Sequence, residues 1–309
     1  MTALLILPLL VPFVLPALSR RALDRLAPTA ALWVITASAV ALAGCTLAAL
    51  GAFVLTGLFE LPFFAALGEL VRPLHTVSDR YVLPLAALSA GALAVCAGTG
   101  TRSVLRQTRA FRAARTEAGR GPAAGDLRVV DSPSPDAYAL PGRPHRIVVT
   151  TGMLRSLDGA EREALFAHER AHNSGGHHFF LAAAELAAHC HPGLRRVRDV
   201  VRLAVERVAD EAAASAVGDR RLTARAIARA ALAGQGAGTE RPAFVSGATS
   251  GPVPRRVEAL LAAPRGRRRA GSGFAVLLAA CAALSCVASA TGMIDFHHQV
   301  EVAQGEAER

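Results

Sequence analysis

The chain predicts an α-helical multi-pass membrane protein carrying one α+β domain, mostly α with a small β-sheet. Three observations predict it. Apolar residues gather into four blocks of membrane-spanning size, arginines mass at one end of each block, and strand and helix patterns alternate between the third and fourth blocks. Of the 309 residues, 52% are hydrophobic and 19% charged, and mean hydropathy is +0.35. That profile excludes a disordered chain and an ordinary water-soluble domain.

The blocks cover about residues 2–18, 30–58, 81–98 and 272–294. The first is short and carries Pro8, Pro12 and Pro16, which weaken a helix. Its basic residues Arg20, Arg21 and Arg25 follow the apolar stretch, whereas a secretory signal carries them in front, so we read a span with its N-terminus outside. The second block then runs outward and the third returns. The loop between them is nearly balanced, with Glu60, Glu69 and Asp79 against Arg72 and Arg80, as suits the outer face. Arg102, Arg106, Arg109, Arg112 and Arg115 follow the third block at helical spacing, and Arg265, Arg267, Arg268 and Arg269 precede the fourth. Residues 1–100 are therefore expected to form a membrane region of three spans, 101–271 a cytoplasmic domain, 272–294 the fourth span, and 295–309 a short extracellular tail.

All 34 basic residues are arginine and the net charge is +10. The Arg and Ala richness suggests a GC-rich bacterial genome, hence a bacterial plasma membrane. Arginines beside apolar blocks suit lipid headgroups, and with no aromatic platform among them nucleic acid is not an expected partner. Cys45, Cys96, Cys281 and Cys286 lie in apolar blocks and leave Cys190 alone in the domain, which excludes a disulfide framework.

Within the domain, Leu127–Val130, Asp136–Leu140 and Arg146–Thr151 read as short strands punctuated by Pro and Gly. Asp158 with Glu161 three residues on predicts a capped helix start. That helix carries His168-Glu169-Arg170-Ala171-His172. Histidines at i and i+4 share one face and converge on one zinc ion, and Glu169 stands beside that face where it serves a catalytic water. A third ligand is sought downstream. Pro192 and Gly218 bound a long helix on which Glu206 and Asp210 lie one turn apart among Ala, Leu and Val. Glu206 completes a His₂Glu site, and Asp210 orients a ligand histidine. The alternative for Glu206 is a solvated helix face paired with Arg202 or Arg207. His177 and His178 read as a surface or supporting pair. His189 and His191 flank Cys190 at a spacing poorly suited to a second metal, and which histidine faces an oxyanion stays open.

The succession Pro135-Asp-Ala-Tyr-Ala-Leu-Pro-Gly, Ile147-Val-Val-Thr-Thr-Gly-Met-Leu, His168-Glu-Arg-Ala-His, His191-Pro and Glu206-Arg-Val-Ala-Asp resembles the BlaR/MecR-type membrane zinc peptidases, and the related HtpX and CAAX-prenyl endopeptidases. The resemblance implies a zincin-like (gluzincin) domain with one Zn²⁺ on His168, His172 and Glu206. It further implies Glu169 as general base and acid, Asp210 in support, and a strand of Ala137, Tyr138, Ala139 and Leu140 offering its edge to a peptide substrate. It departs at Asp136, where relatives commonly carry Asn, and in having only Asp295–Arg309 beyond the last span, so beta-lactam sensing is not expected. The implied activity is endoproteolysis at the cytoplasmic face, with a transcriptional repressor as the signalling substrate. The alternatives are quality control of membrane proteins in the manner of HtpX and a proteolytically silent scaffold. The oligomeric state is left open.

Overall fold

The computed structural model describes residues 2–59, 79–120, 123–235, 252–262 and 270–307. The loop charges Glu60, Glu69 and Arg72 and the run Arg265 to Arg269 lie outside these residues. Four described helices contain stretches long and apolar enough to cross a membrane: Leu5–Arg25, Pro28–Leu58, Tyr81–Thr116 and Gly273–Thr291.

Helix α1 (Thr2–Arg25) runs unbroken through Pro8, Pro12 and Pro16. Each proline lacks the N–H that would bond the carbonyl four residues earlier, so their spacing frees the carbonyls of Pro8 and Pro12 in turn. Neighbouring elements use both. The Thr46 hydroxyl, which donates to the Leu42 carbonyl at 2.8 Å, also approaches the Pro8 carbonyl at 3.3 Å, and Gly193 lies so close to the Pro12 carbonyl that a Cβ there would sit 2.5 Å from the oxygen. Backbone groups exposed by proline are thus covered by protein, as an apolar environment demands.

Helix α2 (Pro28–Phe59) is apolar along its length. Helix α3 (Asp79–Arg120) carries the third apolar block and the arginine-rich segment as one rod, passing position 100 without a break. Its far end is tied to the sheet, since Arg115 Nη1 donates to the Pro141 carbonyl at 2.9 Å. The last helix, α10 (Ala270–Ala307), likewise continues beyond position 294 instead of ending at the apolar block.

The sheet has four strands, β1 (Ala123–Ala124), β2 (Leu127–Val130), β3 (Ala137–Leu140) and β4 (Arg146–Thr150), in the order β1-β2-β4-β3. β4 is parallel to β2 and antiparallel to β3, which leaves β3 at the edge. Thr150 stitches the turn: its hydroxyl accepts from Asp136 N at 2.8 Å and from Met153 N at 3.2 Å, capping α4 (Thr151–Ser156). The inner face of the sheet packs against helix residues, with Ala137, Val149, Met153, Leu165 and Ile227 in one buried cluster.

Helices α5 (Gly159–Ser174), α6 (His177–Cys190), α7 (Pro192–Val217), α8 (Arg220–Ala233) and α9 (Val253–Leu261) complete the described chain. The predicted signals shape α5 and α7. Asp158 and Glu161 form a reciprocal capping box at the start of α5, and α7 opens on Pro192 and ends at Gly218 with φ 77°. Apolar positions Leu194, Val197, Val201, Ala204 and Val205 of α7 join Leu181 and Ala184 of α6 and Leu15, Ala22, Leu32 and Ile35 of α1 and α2 in a single cluster. Helices α6 and α7, which follow the histidine motif, therefore share a core with the apolar helices α1 and α2.

Candidate metal centre

α5 presents His168 and His172 one turn apart, and α7 brings Glu206 to them. All three are buried. His168 Nε2 lies 3.0 Å from His172 Nε2 and 3.4 Å from Glu206 Oε2, while His172 Nε2 lies 3.8 Å from Glu206 Oε1. Ligands held about 2.0–2.1 Å from a tetrahedral zinc ion stand about 3.3 Å apart, so these separations suit such an ion. The neighbouring arginines are engaged elsewhere. Arg202 donates to Glu185 at 3.1 Å and Arg207 to the Leu23 carbonyl at 2.7 Å, and Glu206 is fully buried, so the solvated-face alternative does not describe its surroundings.

The second nitrogen of each histidine is held as well. His168 Nδ1 is 3.0 Å from Asp210 Oδ1, the position expected of Asp210. His172 Nδ1 is 2.9 Å from His177 Nδ1, so His177 is a buried partner of the site and not a surface residue. For His172 to offer Nε2 to a metal, its Nδ1–H donates to an unprotonated His177 Nδ1. Burial, followed by the neighbouring His168 and His178, pushes His177 down to about 4, which keeps it neutral and able to accept.

The residue that sequence reasoning missed is Arg256, on α9. It is fully buried, with Nη1 3.0 Å from Glu206 Oε2 and a two-point contact to Asp210 at 2.7 and 2.8 Å. In the sequence it is one of a pair of arginines after two prolines, with nothing to distinguish it from a surface cation. The available signal was indirect: buried carboxylates gathered around two neutral imidazoles require a counter-charge. Glu169, Glu206 and Asp210 are all buried. Arg256 supplies such a counter-charge to Glu206 and Asp210.

A proton takes the metal's place in the metal-free chain. Burial pushes the His168 imidazole down, but the hydrogen bonds to Asp210 and Glu206 outweigh it and raise its pKa to about 9. A histidine raised above its ordinary 6.5 adds stability that is complete below about 6.5 and is lost as pH rises through about 9. His172 and His177 are shifted the other way, chiefly by burial, so their neutral forms cost stability as pH falls below about 6.5. Metal-free protein is therefore expected to melt highest near pH 6.5 and progressively lower toward pH 9. A flat profile by differential scanning fluorimetry over that window would remove this account.

Edge strand β3 brings Ala139 beside the histidines. Together with Pro141, His172, Asn173, His177, His178 and Leu181 it lines a cleft. Ala137, Ala139 and Leu140 are buried and Tyr138 is half-buried. His189 and His191 are not drawn into the centre: His189 lies 3.8 Å from Glu185, and His191 Nε2 donates to the Leu9 carbonyl at 3.0 Å.

Residues 105–193 match the model of peptidase family M48. The matched stretch runs from the basic part of α3 through the sheet, the histidine motif and α6, and stops short of Glu206. It supports a metal-dependent peptidase, and the four apolar helices support a membrane protein. No curated protein and no solved structure matches the chain.

Proposed function

We propose that this chain is a multi-pass membrane zinc endopeptidase whose site opens on the cytoplasmic face, holding zinc on His168, His172 and Glu206. The observation that carries the reading is the convergence of three buried ligand atoms at tetrahedral spacing, with the outer nitrogens of both histidines held by Asp210 and His177. Zinc supplies Lewis acidity toward the scissile carbonyl when bound. The chain's own residues do the rest. Glu169 takes a proton from the attacking water and returns it to the leaving amide nitrogen, which converts a poor leaving group into an amine. The edge of β3 at Ala137, Tyr138, Ala139 and Leu140 receives an extended substrate segment through its backbone groups. Asp210 and His177 keep the imidazoles oriented, and Arg256 holds Glu206 and Asp210 in register.

The cytoplasmic orientation is supported by the arginines that follow the first and third apolar blocks. A signalling substrate, such as a cytoplasmic repressor, is supported by the order of motifs shared with the BlaR/MecR type. The test is the metal content of detergent-purified protein in metal-free buffer, beside a His168→Ala/His172→Ala variant. About one zinc per chain is expected in the parent and little in the variant. A folded parent that takes up no zinc on reconstitution overturns the reading in favour of a silent scaffold.

A further inference from the structure

The hairpin of α6 and α7 sits deeper than a domain resting on the membrane surface would. Its tip touches two apolar helices well away from their basic ends. His191 donates to the Leu9 carbonyl at 3.0 Å and its ring meets Phe13 edge-on at 4.7 Å between centroids. Gly193 packs on the Pro12 carbonyl. Cys96 Sγ lies 3.6 Å from the Cys190 carbonyl. Measured along α1, Pro12 is about 12 Å from Arg20, and along α3, Cys96 is about 9 Å from Arg102, at 1.5 Å per helical residue. Two independent helices therefore place the tip at nearly the same depth. At the other end of α6, Phe180 meets Trp33 edge-on at 4.8 Å, and Trp is a residue of the membrane–water boundary.

From these contacts we propose that the α6–α7 hairpin is a re-entrant element that enters one leaflet of the bilayer and takes lipid as its partner. This rests on the reading that α1 and α3 cross the membrane. The part of α6 between Phe180 and the tip rises about 15 Å, half of a hydrocarbon core, so it enters without crossing. Phe179 and Leu186, two turns apart on one face, are 70% and 47% exposed and meet acyl chains. Two polar side chains at this depth, His191 and Glu185, find partners within the protein. His191 Nδ1 accepts from Gly193 N at 3.0 Å, capping α7, and Glu185 is enclosed by Arg202 at 3.1 Å, Arg198 at 3.5 Å and His189 at 3.8 Å. Arg195 and Arg196 are exposed on α7 just past the tip, where arginine side chains extend back to lipid phosphates.

The experiment uses the full chain in phosphatidylethanolamine–phosphatidylglycerol vesicles, with or without lipids brominated on the acyl chains. Trp33, the sole tryptophan, is first replaced by Phe. Single reporters are then placed at Leu186→Trp on the hairpin, at Val95→Trp on α3, and at Leu232→Trp on α8, all exposed positions. Leu186→Trp is expected to lose at least half its fluorescence to brominated lipid and little to acrylamide, as Val95→Trp does, while Leu232→Trp shows the reverse. Phe179→Trp is a second hairpin reporter if Leu186→Trp fails to fold. A hairpin reporter quenched by acrylamide alone, with Val95→Trp quenched by lipid, overturns the re-entrant hairpin and leaves the spans intact. If Val95→Trp also escapes lipid quenching, the membrane reading itself fails.

Discussion

Replacing Glu169 by Gln is expected to abolish peptide cleavage, by about 10²–10⁴-fold or more, while leaving zinc content at the parental level. The two effects separate because Glu169 is not among the three converging ligand atoms, yet it follows His168 directly on α5 and is itself fully buried. Gln keeps the size of the side chain and removes the carboxylate that shuttles the proton. The readout is cleavage of a captured substrate by mass spectrometry, alongside metal analysis of the same preparation. Retained cutting by a zinc-loaded Glu169→Gln variant would end the proposed mechanism. Loss of zinc would instead place Glu169 among the groups that build the centre. The same variant serves as a trap. One dominant soluble fragment source fits regulated proteolysis, and many membrane-derived fragments fit quality control.

Arg256→Met is expected to cost the metal-free protein about 3–5 kcal/mol, the usual penalty for stripping one partner from a buried ion pair. Glu206 and Asp210 both face the guanidinium, and removing it leaves their charges buried beside Glu169. Zinc restores part of that loss by mass action, because a cation bound by the folded state returns positive charge to the cluster. The stabilisation by zinc should accordingly be larger in Arg256→Met than in the parent. Arg256→Lys keeps the charge but loses the two-point contact to Asp210, and is expected to fall between them. Thermal melting of all three proteins in detergent, with chelator and with zinc, reads these six states. Equal melting temperatures for parent and Arg256→Met without metal would show that the guanidinium does not hold the centre together.

Read alone, the sequence determined what depends on short-range pattern. The apolar blocks, the capping box of Asp158 and Glu161, the Pro192 start and Gly218 stop of α7, and the i, i+4 pairing of His168 and His172 are local matters of period, cap and spacing. Asp210 was legible for the same reason, being one turn beyond Glu206. The prolines of α1 misled the sequence reading, since their cost depends on whether another element covers the freed carbonyls, and Thr46 and Gly193 come from distant parts of the chain. Arg256 was illegible for a related reason, and His177 was legible only as half of a surface or supporting pair. A histidine after two glycines and an arginine in a basic pair carry no pattern of their own, and their roles exist only once α6 and α9 bring them against His172 and Asp210. The shared core of α6 and α7 with α1 and α2 belongs to the same class. Burial of a charge or a carbonyl is settled by partners far apart in sequence, so only the tertiary structure decides which polar groups form the centre and how deep it sits.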